Sequence, residues 1–200
     1  MMSLKQSLKE QKDNKLNYRG HLKKGKSKIA VWGSGYIGLS TMAFFSKNKI
    51  RCVGLDVDQK KVDTINSGKL PIKELKDWFG FDIRNSVKKK YLQATINHNI
   101  FNDSSFIVHF IAIPTEKNGK PFFDILFNVL KKLVTIIKKK NKVKPVIIIE
   151  STLTPQFSEK KIIPFFKKYS LVPGKDFIYG VAPRRDWFVE GTKSLVDIDR

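Results

Sequence analysis

Three glycines in the pattern Gly-x-Gly-x-x-Gly, at positions 33, 35 and 38, directly follow the apolar run of residues 29–32. A helix-forming stretch comes next, and a second apolar run ends at Asp56. The order of buried strand, tight turn, helix and second strand is that of a βαβ unit. This motif therefore constrains the fold more than any other feature of the chain.

Each glycine has a physical task in such a unit. Gly33 permits the tight turn from strand to helix, Gly35 lets the main chain approach a pyrophosphate, and Gly38 lets the helix pack closely on the sheet. The N–H groups at the helix start then receive the phosphates. A carboxylate at Asp56 accepts hydrogen bonds from the adenine ribose and repels a phosphate there, which favours NAD over NADP. A glycine turn without a ligand is the alternative, but the combined pattern favours a dinucleotide site.

Strands and helices alternate along the rest of the chain. Strands are predicted at 28–32, 50–56, 92–96, 105–113, 145–152 and 177–181. Helices are predicted at 36–47, 59–66, 122–140 and from about 155, with amphipathic pieces near 73–79 and 83–91. Parallel neighbours need crossover helices, so this order predicts an α/β fold with a Rossmann-like, doubly wound parallel sheet.

The domain is predicted to comprise residues 28–200. Residues 1–27 are polar and basic, with leucines too sparse to build a core, and are assigned to a flexible extension. In a doubly wound sheet, ligands bind beyond the carboxyl ends of the strands. The residues expected to converge there are Gly33, Asp56, Thr115, Thr152 and Pro183.

Composition narrows the class of protein. The chain has 200 residues, 41% of them hydrophobic, which suffices for a domain with a real core. Its apolar runs are too short to cross a bilayer, and its lysine-rich start lacks the apolar segment of a secretory signal, so we expect a cytoplasmic protein. The single Cys52 excludes internal disulfides and multi-cysteine zinc sites, and we predict a buried thiol and no metal site.

The net charge of +21 is the main competing clue, because such a field attracts nucleic acid, anionic lipid or phosphorylated metabolites. Much of it lies in clusters at residues 88–90 and 138–140, the predicted ends of helices, where cations complement the helix dipole. No helix-turn-helix, zinc finger or aromatic RNA-binding motif accompanies these clusters. Nucleic acid is therefore not the expected partner.

Five segments resemble the amino-terminal NAD-binding domain of the nucleotide-sugar 6-dehydrogenases, the UDP-glucose and GDP-mannose dehydrogenase family. They are residues 28–40, 53–66, 68–74, 110–115 and 150–155. Enzymes of this family oxidise a sugar C6 alcohol to a carboxylate in two steps with two NAD, through a thioester on a cysteine. The resemblance implies NAD as cofactor, a nucleotide sugar as substrate and a place in polysaccharide biosynthesis.

The resemblance also implies roles for individual residues. Asp56 would hold the adenine ribose, and Lys61 would lie near it. Thr152 would contact the cofactor and position the water and the reacting oxygens, which makes it the candidate catalytic residue. The residues that would bind the rest of the cofactor are Gly33, Ser34, Gly35, Tyr36, Ile37 and Gly38 around the pyrophosphate, and Thr115, Ser151 and Thr152 near the nicotinamide ribose.

Simpler explanations exist for several of these residues. Thr115 and Thr152 could terminate strands through local backbone hydrogen bonds, and only the surrounding motifs favour the cofactor role. The role of Glu150 stays open. His109 is predicted to be a satisfied core residue, and neither it nor the other two histidines, His21 and His98, is a catalytic candidate.

The chain departs from the family pattern in three places. The cysteine nucleophile belongs to a domain downstream of Arg200, so we expect a portion that binds NAD and is inactive alone, with a partner chain or a homo-oligomer as open possibilities. Arg184 replaces a glutamate that usually contacts substrate, and a guanidinium cannot accept a proton. Gln156 replaces a glycine, which leaves the shape of that loop open.

Two other functions remain in view at this point. A basic Rossmann module could bind RNA or another polyanion without catalysis, since a fold does not fix a function. A fragment of a related hydroxy-acid dehydrogenase would carry the same glycine motif.

Overall fold

The computed structural model describes residues 17–139 and 143–184, without the side chains of residues 77 and 78. Most of the predicted extension, residues 1–16, and the last part of the predicted domain, residues 185–200, lie outside the described part of the chain.

One parallel sheet organises the described residues. The strands, in chain order, are β1 (Lys28–Trp32), β2 (Cys52–Leu55), β3 (Leu92–Thr95), β4 (Phe106–Ile111), β5 (Glu116–Lys117), β6 (Lys120–Pro121), β7 (Val146–Ile149) and β8 (Ile178–Val181). Six of them pair in the order β3-β2-β1-β4-β7-β8, and every neighbouring pair is parallel. The strand order reverses between β1 and β4, which confirms the predicted Rossmann-like sheet and places its ligand crevice there.

Helices connect the strands and cover both faces of the sheet. They are α1 (Tyr18–Lys23), α2 (Tyr36–Lys47), α3 (Gln59–Asn66), α4 (Leu75–Phe79), α5 (Arg84–Lys88), α6 (Asp124–Lys138) and α7 (Ile163–Lys167). A 3₁₀ turn at His98–Asn102 precedes β4, and a π-helical turn at Ser158–Ile162 leads into α7. The bounds of β1, α2 and α3 are the predicted ones, whereas the other predicted elements are one to several residues shorter, as frayed helix and strand ends commonly are.

Local chemistry sets the ends of α3. The Asp58 side chain accepts hydrogen bonds from the backbone N–H groups of Lys60 and Lys61, which caps the helix start. Gly68 follows the end of the helix with a φ of +79°. Glycine suits this position because it adopts the left-handed conformation without a steric clash of a Cβ.

Two apolar layers form the core, one on each face of the sheet. The first contains the buried face of α6, with Leu126, Leu130 and Leu133 fully buried, and extends to Phe166 and Phe177 beside β8. The second lies beneath α2 and α3. Because both faces are covered, the central strand β4 is buried along its whole length.

One pair of strands was not predicted from the sequence. Strands β5 and β6 form an antiparallel hairpin through Asn118 and Gly119, whose φ values are +54° and +72°. The Asn-Gly pair is the expected signal for such a turn. Helix α1 lies within the predicted extension, where Leu22 is buried in the core and the Tyr18 hydroxyl donates to the carbonyl of Lys144 at 2.8 Å. Residues 17–27 thus pack against the domain.

Within the described ranges, no helix combines the length and the apolar character that crossing a bilayer requires.

Candidate cofactor site at the carboxyl edge of the sheet

The glycine turn shows which of its glycines serve packing. Gly33 has a φ of +99°, and a Cβ there would run into the carbonyl oxygen of Ala112. A Cβ on Gly38 would collide with the carbonyl oxygen of Gly33. By contrast, a Cβ on Gly35 would meet no atom within 4 Å. Packing inside the protein therefore does not require glycine at position 35, whereas a ligand that approaches the backbone does.

The start of α2 is suited to an anion. Gly35 is the N-cap residue, no side chain caps the helix, and its first turn holds no acidic residue. The N–H groups of this turn and the positive end of the helix dipole are therefore presented at the carboxyl edge of the sheet. Tyr36 and Ile37, which are predicted to lie around a pyrophosphate, belong to this turn.

Asp56 is buried beside the glycine turn and held by three donors. Its Oδ2 accepts from the backbone N–H of Ser34 at 3.2 Å and from Lys61 Nζ at 2.9 Å. Its Oδ1 accepts from the backbone N–H of Asp58 at 3.1 Å. The structure thus brings together the predicted Ser34, Asp56 and Lys61, while the Ser34 hydroxyl faces the carbonyl of Leu55 at 3.3 Å. A carboxylate fixed in this way retains lone pairs for further donors such as ribose hydroxyls.

Two exposed apolar residues next to Asp56 were missed by the sequence analysis. Val57 is 96% exposed and Ile96 is 52% exposed. They follow the paired ends of β2 and β3, where Leu55 is in register with Thr95. Apolar side chains at this edge can pack against a flat ring system. The sequence signal for Val57 was an apolar residue directly after the acid that ends the strand.

The ends of β4 and β7 are tied together by hydroxyl groups. Thr115 Oγ1 donates to the carbonyl of Thr152 at 2.7 Å. The buried Ser151 Oγ accepts from the N–H of Ile113 at 3.0 Å and donates to the carbonyl of the same residue at 2.8 Å. Ser151 and Thr115 thus use their hydroxyls to hold backbone, whereas Thr152 is exposed. Among the described residues no partner binds the Thr152 hydroxyl, so it can reach a ligand.

A cluster of three polar side chains joins α2 to the ends of β7 and β8. Glu150 is 4% exposed, and its Oε2 accepts from Thr41 Oγ1 at 2.7 Å. Arg184 Nη1 donates to Thr41 Oγ1 at 3.0 Å and to the carbonyl of Ile37 at 3.2 Å. The sequence analysis left Glu150 and Arg184 without roles and overlooked Thr41, because these residues are far apart along the chain.

A cavity of about 740 Å³ opens beside Thr152. Polar groups of Thr154, Ser158, Tyr179 and Arg184 line it, and the hydroxyls of Ser158 and Tyr179 lie 2.6 Å apart. Burial raises the pKa of Tyr179 above its ordinary value. This cavity adjoins the edge where the predicted site residues lie.

The UDP-glucose/GDP-mannose dehydrogenase family, NAD binding domain, matches residues 27–192. The chain belongs to this family. The match contains the glycine turn, Asp56 and the ends of β4 and β7, and it confirms both the family resemblance and NAD as the cofactor.

Named relatives agree with this assignment. Protein CapL of Staphylococcus aureus is 30% identical over 158 residues, which cover 78% of this chain and 34% of CapL. A UDP-N-acetyl-D-mannosamine dehydrogenase of Campylobacter jejuni is 37% identical over 131 residues, or 63% of this chain and 29% of that enzyme. The solved UDP-D-ManNAc dehydrogenase of Pyrococcus horikoshii superposes with a TM-score of 0.66 at 28% identity, covering 80% of this chain and 37% of that one.

The chain spans about a third of the length of these curated relatives. It therefore contains the NAD-binding domain of a nucleotide-sugar dehydrogenase. The relatives favour neither a nucleic-acid-binding module nor a hydroxy-acid dehydrogenase.

Cys52 and His109 lie within the sheet of this NAD-binding domain, away from its carboxyl edge. Cys52 is buried as predicted, and burial raises the pKa of its thiol, which disfavours the thiolate. His109 is also in the core, and its Nδ1 accepts from Trp32 Nε1 at 3.3 Å. Its Nε2 has no hydrogen-bond partner in the described structure, so the prediction of a satisfied histidine holds for only one ring nitrogen. In the described part of the chain, no three His, Cys, Asp or Glu side chains are grouped in a way that could bind a metal ion.

Proposed function

We propose that this domain binds NAD across the carboxyl ends of β1, β2, β4 and β7 and presents it for oxidation of the C6 alcohol of a nucleotide sugar. The observation that carries the proposal is the pairing of Gly35, where packing leaves room for a ligand, with the buried carboxylate of Asp56.

The adenosine half would lie over β2 and β3. Asp56 would accept hydrogen bonds from the ribose hydroxyls while Lys61 and the N–H of Ser34 hold its carboxylate in place. Val57 and Ile96 would pack against the adenine ring. The pyrophosphate would lie at the start of α2, where the backbone of Gly35 gives access and the helix dipole favours negative charge.

The nicotinamide half would lie over β4 and β7, with NAD accepting a hydride from C6 of the sugar when bound. Thr152 would contact the nicotinamide ribose and position the reacting oxygen, because its hydroxyl is exposed and can both donate and accept. Thr115 and Ser151 would hold the backbone on which Thr152 stands. Thr115 and Ser151 would therefore support cofactor binding indirectly, by fixing the backbone that carries Thr152.

The complete reaction needs a nucleophile that Cys52 does not provide, since burial keeps its thiol neutral and inaccessible. We infer that the cysteine comes from polypeptide other than these 200 residues, because Cys52 is their single cysteine, and that the groups that recognise the sugar nucleotide come from the same polypeptide. The cavity beside Thr152 is the side from which such groups would approach. The relative from Campylobacter jejuni, a UDP-N-acetyl-D-mannosamine dehydrogenase, supports a nucleotide sugar as substrate.

Isothermal titration calorimetry of the purified chain with NAD and NADP tests the proposal. We expect NAD to bind and NADP to bind at least about tenfold more weakly, because Asp56 repels a 2′-phosphate. Asp56→Asn should weaken NAD binding by roughly tenfold, since it removes a charged acceptor. Asp63→Asn is the matched control: this exposed carboxylate on α3 contacts Gln59 at 2.7 Å and the change in net charge is the same.

Either of two outcomes would overturn the proposal. The first is a chain that is folded by circular dichroism and yet gives no NAD binding at millimolar concentration. The second is equal loss of affinity in Asp56→Asn and Asp63→Asn, which would show that net charge alone governs the interaction.

A further inference from the structure

The polar group formed by Glu150, Thr41 and Arg184 connects three elements that the proposed cofactor site needs. Thr41 lies on α2, Glu150 directly follows β7, and Arg184 follows β8. The contacts run from Arg184 Nη1 to Thr41 Oγ1 at 3.0 Å and from Thr41 Oγ1 to Glu150 Oε2 at 2.7 Å. The hydroxyl of Thr41 therefore accepts from the guanidinium and donates to the carboxylate.

Charge explains why the group holds together. Glu150 is 4% exposed and Thr41 is equally buried, and an isolated carboxylate in such a place would be strongly disfavoured. The guanidinium of Arg184 supplies an opposite charge on the far side of the Thr41 hydroxyl. Hydrogen bonds that involve ionised groups are shorter and stronger than neutral ones, so the three side chains act as one unit.

This unit lies between the start of α2 and the β7 side of the cofactor site. Arg184 also donates to the carbonyl of Ile37 at 3.2 Å, in the first turn of α2. Glu150 precedes Ser151 and Thr152 in the segment that ends β7. Asp56, at the opposite side of the crevice, is held by a separate set of donors. The unit therefore fixes the β7 side of the site relative to α2 and leaves the β2 side alone.

We propose that Arg184 is a positioning residue for the nicotinamide half of the cofactor, acting through Thr41 and Glu150 on the segment that carries Thr152. A guanidinium stays protonated and has no acceptor atom, so this residue orients and does not exchange protons. The inference rests on the proposed NAD site and adds to it a residue that follows β8, the strand at the edge of the sheet.

The test compares NAD with ADP, which contains the adenosine and the pyrophosphate but lacks the nicotinamide ribose. Both affinities are measured by calorimetry on the full chain, with ADP in competition with NAD where its binding is weak. Arg184→Gln should weaken NAD binding by roughly tenfold and ADP binding clearly less, because the N–H groups at the start of α2 remain in place whereas the segment that carries Thr152 loses its support. Arg184→Lys, which keeps a cationic donor, should recover part of the NAD affinity.

Thr41 provides the check on the mechanism. Thr41→Val removes the hydroxyl that relays the contact, and Thr41→Ser keeps it. We expect Thr41→Val to weaken NAD binding as much as Arg184→Gln does, and Thr41→Ser to bind NAD like the unmodified chain. The double variant with Thr41→Val and Arg184→Gln should bind NAD no more weakly than either single variant, because linked residues give non-additive effects.

The possible results separate this inference from the proposed function. If the unmodified chain does not bind NAD, the proposed function fails. If it binds NAD and Arg184→Gln binds NAD equally well, the inference fails while the function stands. Equal losses for NAD and ADP, together with a lower melting temperature, would show a general structural role and would also overturn the inference.

Discussion

The two sides of the crevice are built differently. On the glycine-turn side, residues 28–66, the contacts that hold Asp56 join residues 22, 5 and 2 positions apart in the chain. On the distal side, residues 106–184 with the Thr41 contact, the contacts join residues 37, 109 and 143 positions apart. The first side is assembled by local sequence within one βαβ unit. The second exists only when the whole sheet has formed.

Mutations on the two sides should therefore act in different ways. A substitution in the glycine turn acts through steric contact at the new Cβ, which at Gly33 meets the carbonyl oxygen of Ala112 and at Gly38 that of Gly33. A substitution on the distal side acts on the packing of β7 and β8 against the rest of the sheet. Contacts between residues that are distant in the chain cost more loop-closure entropy, so we expect this packing to be the later step in folding.

Substitutions at Gly33 and Gly35 are expected to give the largest contrast. Gly33→Ala should destabilise the domain by about 3 kcal/mol or more, because a positive φ and a backbone oxygen both oppose the new Cβ. Gly35→Ala should change stability by less than about 0.5 kcal/mol and yet weaken NAD binding at least about tenfold, since the Cβ meets only the ligand. Urea denaturation and calorimetry measure the two effects.

A stable Gly33→Ala variant would contradict the packing role of that glycine. A Gly35→Ala variant with unchanged NAD affinity would show that no ligand approaches the turn closely.

The seam between the two sides contains a pH-sensitive contact. His109 on β4 accepts from Trp32 on β1, and burial lowers the pKa of its imidazole from 6.5 to about 4. The unfolded chain therefore binds the proton more tightly, and stability falls as pH decreases through 6.5 towards 4. The loss should reach about 3 kcal/mol at pH 4. Urea denaturation between pH 7 and pH 4 measures it.

The control for this prediction is His109→Asn, which keeps an oxygen for the indole N–H and cannot titrate. Its stability should be lower at pH 7 but should depend less on pH. Parallel pH profiles for the variant and the unmodified chain would assign the acid sensitivity to other groups.

The same contrast explains what could be predicted from the sequence. The order of elements, the bounds of α2 and α3 and the positions of Gly33 and Asp56 follow from periodicity and spacing, because the interactions that decide them are local. The pairing of Ser34 with Asp56 is a direct consequence of the βαβ unit. The glycine-turn side of the site could therefore be predicted from the sequence.

The contacts of the distal side could not be derived in this way. That Arg184 reaches Thr41 depends on β8 lying beyond β7 and on the path of the segment after β8, neither of which leaves a pattern in the sequence. Glu150 and Arg184 were noticed as open questions, but their partner was not. The missed hairpin at 116–121 is a different case, since its Asn-Gly turn was visible in the sequence.

Gln156 tests whether the distal side stores strain. Its φ is +61°, so the loop adopts the left-handed conformation that suits a glycine even though the residue has a Cβ. Gln156→Gly should stabilise the domain by about 0.5 to 1 kcal/mol, the relief of strain less the greater chain entropy of glycine. Gln156→Ala, which keeps the strain, is the control, and urea denaturation distinguishes them. Equal stabilities would mean that the loop relaxes without cost.

The smallest effect is expected at Lys61, the cation of the glycine-turn side. Its Nζ lies 2.9 Å from Asp56 Oδ2, and its side chain is 28% exposed, so solvent screens the pair. Lys61→Gln should cost less than about 1 kcal/mol of stability and change NAD affinity by less than about threefold, because the N–H groups of Ser34 and Asp58 still hold the carboxylate.

The comparison becomes sharpest when Lys61→Gln is measured beside Arg184→Gln. Each removes one cation, but Lys61 reinforces a carboxylate that backbone groups already hold, whereas Arg184 connects elements that are distant in the chain. NAD affinity should therefore fall further for Arg184→Gln than for Lys61→Gln. Equal losses would remove the distinction between a locally assembled side and one that depends on the completed sheet.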